Sequence, residues 1–150
     1  MIDNARTLVS DAAVELRTLG ETQDSERAEI VLAEAEALAG DASRAAASAH
    51  RLLASSDELP WLKRVRAVAL ARLGKLDEAL DDLDSSLATA RERGALYDVA
   101  ATLDVLQALG VESGKGSAEG AAIIARLGIE RLPGLEFSAP ARTRTAASGR

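Results

Sequence analysis

The chain has no cysteine, and one residue each of tryptophan, tyrosine and phenylalanine. Without thiols, neither a disulfide framework nor a thiolate metal site is possible. Aromatics make up 2% of the 150 residues, and β-branched residues are sparse, which argues against a large sheet. No run approaches the roughly 18 consecutive apolar residues that cross a bilayer. The opening "MIDNARTLVSD" lacks the basic-then-apolar pattern of a secretory signal. These absences predict a cytoplasmic protein with no membrane partner.

What is present is alanine and leucine, within a hydrophobic content of 47%. Alanine loses no side-chain entropy in a helix and leucine little, so the composition predicts an all-α domain with an extended core. The net charge is −6. Three of the 18 basic residues and one of the 24 acidic ones follow Pro133, leaving 15 basic and 23 acidic groups before it, a net of −8. Such a surface repels phosphate backbones, and no nucleic-acid partner is expected.

Apolar periodicity and punctuation predict seven helices. The first, about Asp3 to Leu19, carries Leu8, Val9, Ala12, Leu16 and Leu19 on one stripe and stops at Gly20. The second starts near "TQDS" and ends at Gly40; Asp41 or Ser43 caps the third. Pro60 suits the first turn of the fourth, where its missing N–H costs nothing. The fifth runs from Leu76 to Arg93 and the sixth from Leu96 to Leu109. The glycine-rich "VESGKGS" is a loop, with Ser117 capping a short seventh helix to Leu127. "GIERLPGLEF" reads as an extended docking segment, and residues 134–150 as a disordered basic tail.

Gly74 has a counterpart 34 residues earlier at Gly40. The same shift places Ala33 on Ala67 and Ala45 on Ala79, on either side of the two glycines. Antiparallel helices joined by a minimal turn approach to about 8–10 Å, and small side chains at the crossing permit this. Larger residues (Leu70, Leu76, Leu83 and Leu87) are expected to fill the space around it. Gly110, 36 residues after Gly74, marks a third and more degenerate corner.

A 34-residue period with small–Gly–small placement resembles the tetratricopeptide repeat, a helix–turn–helix unit that stacks into a superhelix. "ALARLGKLDEALDDLDSSLATA" carries the resemblance most fully. It implies antiparallel helix pairs stacked as a short superhelix over residues 21–133, with residues 1–20 the remnant of a truncated repeat. The segment "LARLGKLDEALDDLDSSLATARERGALYDVAATL", with "IIARLGIERLP", is also similar to the C-terminal repeat region of large regulators from high-GC bacteria. Those regulators join a cyclase or DNA-binding domain, an NTPase domain and such repeats.

Motifs that would carry chemistry fail on spacing. "GVESGKGS" has three residues between its first two glycines where a phosphate loop needs four, and no strand precedes it. His50 is the only histidine and has no clustered partner in the sequence. Asp77, Glu78, Asp81, Asp82 and Asp84 lack the alternating ligands and central glycine of a calcium loop, and read as a solvated helix face. No cofactor, metal or catalytic residue is expected.

The repeat register places Trp61, Arg64, Val68 and Arg72 along one side of a first-position helix, and Tyr97 at the start of the next. In this family that side lines a concave groove, and aromatic and arginine anchors suit a peptide-binding surface. Truncating both arginines is then expected to weaken binding and leave stability intact. The expected function is a non-catalytic scaffold for a protein or peptide partner, with self-association through the first helix as a further route. The alternative is a regulatory repeat region of a cyclase- or NTPase-type regulator, separated from its catalytic domains.

Overall fold

The structure is a computed structural model that describes residues 2–54, 59–111, 115–130 and 132. Among these residues there are seven α-helices and no strand: α1 (Ile2–Thr18), α2 (Thr22–Ala39), α3 (Ala42–Leu53), α4 (Pro60–Arg72), α5 (Leu76–Glu92), α6 (Leu96–Ala108) and α7 (Lys115–Leu127). The all-α expectation holds. The tail at 134–150, the loop residues 112–114 and most of "GIERLPGLEF" lie outside the described residues.

The corner at Gly74 is a Schellman turn. Gly74 donates its N–H to Ala71 O at 3.1 Å, and Lys75 donates to Leu70 O at 3.0 Å. Gly74 takes φ 79°, where an L side chain would crowd the backbone. The following helix starts at once, with Ala79 N–H on Lys75 O at 3.1 Å. At Gly40, φ is 91° and Asp41 N–H reaches Glu36 O at 3.0 Å. Asp41 also caps α3, its carboxylate accepting from Arg44 N–H at 3.4 Å. Ser43 is left inside α3, and Ser117 inside α7, since that helix already begins at Lys115. Pro60 sits in the first turn of α4.

Ala33, Ala45, Ala67 and Ala79, the alanines flanking the two corners, are all 0% exposed. They belong to a core that runs through Val65, Val68, Leu70, Leu83 and Leu87 to Val99, Leu103 and Leu106. Leu76 departs from expectation. It is 44% exposed: it shares a stripe with Ala79 and Leu83, but as the first residue of α5 it stands at the end of the helix, beyond the buried crossing. A second cluster, Ile30, Ala49, Leu52, Leu53 and Leu62, lies beside the first, and Trp61 packs against both.

Each helix packs on its neighbours in sequence, and α4 additionally touches α2 and α6. Among the described residues α3 and α5 make no corresponding approach. The first helices of the successive pairs, α2, α4 and α6, thus lie side by side. No helix among the described residues is long and apolar enough to cross a membrane.

Candidate partner-binding face

Trp61, Arg64, Val68 and Arg72 recur at i, i+3, i+7 and i+11 on α4 and therefore share one face. That face is the seam toward the flanking first helices. Arg64 Nη1 meets Asp98 Oδ1 of α6 at 2.8 Å, with the guanidinium nearly buried and the carboxylate partly so. Arg72 Nη1 donates to Ala37 O of α2. Val68 is 2% exposed, inside the core. Trp61 is half-buried where the two hydrophobic clusters meet. The two arginines fasten helix to helix, Val68 fills the core, and Trp61 bridges two parts of it.

These positions weigh against Arg64, Val68 and Arg72 as an open groove lining. A side chain already paired or packed within the chain is not available to a partner without loss of stability. For Arg64 and Arg72, truncation removes tethers between first helices, so a loss of stability is expected alongside any effect on binding. Trp61 offers at most one edge.

Tyr97 is different. It is 44% exposed at the start of α6, and Ala101, Asp104 and Ala108 follow on the same face at helical spacing. Ala101 and Asp104 are half-buried and Ala108 is exposed. Burial raises the Asp104 carboxyl above its ordinary value, because desolvation disfavours the charged form. The sequence reading missed Asp104, although Asp104 follows Tyr97 by the same seven residues that separate Val68 from Trp61.

The acidic run of α5 also divides. Asp77, Glu78, Asp81 and Asp84 are exposed as expected, whereas Asp82 is buried. Asp82 lies between Ala79 and Ser86 on the inner face, and its two oxygens receive Arg66 Nε and Nη2, each at 2.6 Å. The bidentate fork satisfies a carboxylate that is mostly withdrawn from solvent. His50 Nδ1 lies 3.4 Å from Arg66 Nη1, and no group of metal-ligating side chains occurs among the described residues. Nearby, Ser86 donates to Pro60 O at 2.8 Å and lies 3.1 Å from Thr102 Oγ1. With the serine proton directed to Pro60, Thr102 is the donor in that second contact. This pair joins α5 to α6 and the start of α4.

No protein-family model, curated protein or solved structure matches this chain.

Proposed function

We propose that the chain is a non-catalytic helical scaffold of the tetratricopeptide type, binding a protein or peptide partner through surface complementarity. The observation that carries the reading is the recurrence of one physical unit at 34 residues. Gly40 and Gly74 turn the same corner, and the alanines on each side of both are fully buried. The Arg64–Asp98 pair also spans 34 residues, joining the first helices of adjacent units. Units that contact only their neighbours stack into arrays, and arrays present extended recognition surfaces. The α6 face led by Tyr97 is open to a partner, and its aromatic ring supplies contact area at little conformational cost.

The test is site-specific photo-crosslinking in cells, with benzoylphenylalanine at Tyr97 and, as a control, at exposed Ala88 of α5. A discrete adduct with one protein at position 97 and not at 88 supports the reading. A chain that runs at its bare mass from both positions, and from a third probe at Leu19 on the exposed side of the first corner, overturns it.

A further inference from the structure

The α1 helix packs on α2 alone among the described helices. Its inward side is well held. Ala13 is buried, and Ser25 of α2 donates across the interface to Ala13 O at 3.0 Å. Arg17 pairs with Glu29, which also receives Arg51 at 2.7 Å, and Arg6 lies 3.9 Å from Asp41. Both cations of α1 are therefore engaged with α2 or the start of α3.

The opposite side has a different chemistry. Leu8 and Leu19 are each 70% exposed, and Ala5, Ala12 and Val14 are also exposed. Leu8, Ala12, Glu15 and Leu19 follow one another along a single stripe, at i, i+4, i+7 and i+11. Asp11 and Glu15 are exposed beside the leucines, and both arginines are turned to other partners. Among the described residues, the free face is an apolar stripe with carboxylates, and both arginines of α1 are engaged elsewhere.

We propose, on the premise that the chain is a scaffold, that this face of α1 docks an amphipathic helix whose apolar stripe is flanked by lysine or arginine. Apolar anchors at helical spacing form the usual seam of a helix laid on a helical surface. The carboxylates select the partner's charge, since unlike charges at the rim guide and register an encounter and like charges oppose it. The same argument disfavours a second copy as occupant. A two-fold interface is built from the same patch on both subunits, so an α1–α1 crossing would set Asp11 and Glu15 against their own equivalents.

The test uses three synthetic 18-residue helical peptides. One carries a leucine stripe with lysine flanks, one the same stripe with glutamate flanks, and one the lysines with serine in place of leucine. Each is titrated into the full chain by amide NMR and calorimetry at low and moderate salt. The Leu/Lys peptide is expected to bind, with shifts confined to α1 and the adjoining Gly20 corner, and to weaken as salt rises. The Leu8→Glu/Leu19→Glu variant should bind it at least about tenfold more weakly, the equivalent of about 1.4 kcal/mol. Its melting temperature should stay unchanged, because both side chains are mostly in solvent. An Asp11→Lys/Glu15→Lys variant should prefer the glutamate-flanked peptide.

Equal binding by wild type and Leu8→Glu/Leu19→Glu, or equal affinity for the lysine and glutamate peptides, overturns the proposal. So does a wild-type dimer in light scattering that the leucine changes dissolve, which would make a second copy the occupant. If shifts instead gather around Tyr97 and vanish in Tyr97→Ala, the α1 proposal fails while the scaffold reading stands. If no peptide perturbs any face, the α1 proposal fails, and the in-cell crosslinks decide the scaffold reading separately.

Discussion

Replacing Ala79 with leucine puts three more carbons into the α4–α5 crossing. Ala79 and Ala67 both have no solvent exposure, and both belong to the main core cluster. The added branch meets side chains already packed to interior density, so it must force rotamers or separate the helices. Overpacking of this kind costs about 1–3 kcal/mol, which lowers the melting midpoint of a chain this size by about 3–10 °C. Helix propensity does not account for such a loss, since alanine and leucine differ little. Ala88→Leu supplies the internal control. It makes the same chemical change on the same helix at an exposed position, where surface substitutions stay within about 0.5 kcal/mol. Thermal melts of the two variants side by side are the assay. If they coincide, the alanines do not set the helix separation, and the account of the 34-residue corner is refuted.

Gly74→Ala should lower stability by about 1–2 kcal/mol, through the left-handed backbone alone, because an added Cβ there meets nothing within 4 Å. Gly120→Ala should do the reverse by about 0.5–1 kcal/mol: that glycine lies within α7, and its added Cβ would rest 3.7 Å from Leu103 Cβ, an ordinary contact. Arg64→Met or Asp98→Asn alone should cost about 1–2 kcal/mol, less than for a fully buried pair because Asp98 is partly solvated, and Arg64→Met with Asp98→Leu should recover much of the loss in a denaturant-based double-mutant cycle. Asp104 holds its proton more tightly folded than unfolded, so its contribution falls as pH rises through the raised folded value; Asp104→Asn should therefore melt higher than wild type at pH 7, with the gap closing toward pH 3.

Glycine and alanine made the architecture readable in advance, because their signals are local. A glycine ending a helix and an alanine at a crossing each report a backbone requirement, and in the fold Gly40 and Gly74 take positive φ while Ala67 and Ala79 are buried. Charge was less legible. Asp82 and Asp84 are two residues apart in one acidic run, yet one is buried under Arg66 and the other is in solvent. That difference depends on helix phase together with a cation 16 residues away, which composition does not reveal. The partners of Arg64 and Arg72 are hidden in the sequence for a related reason. Periodicity places them on the correct face of α4, but says nothing of what lies opposite.

What lies opposite follows from position in the stack. The middle first helix, α4, has neighbours on both sides, so its cross-facing residues meet backbone and carboxylate from α2 and α6. The equivalent face of α6 has α4 on one side and no comparable first helix beyond it among the described residues, so Tyr97 remains exposed. At the other end, α1 packs on α2 alone among the described helices, and Leu8 and Leu19 remain exposed. On the proposed scaffold reading, the middle of such a stack is where substitution should register as lost stability, and its ends are where it should register as lost binding. Trp61 and Tyr97, 36 residues apart in equivalent places, separate the two effects directly. Trp61→Ala removes a ring that two core clusters share and should lower the melting temperature whether or not a partner is present. Tyr97→Ala should leave the isolated chain's melting temperature nearly unchanged and diminish only the complex.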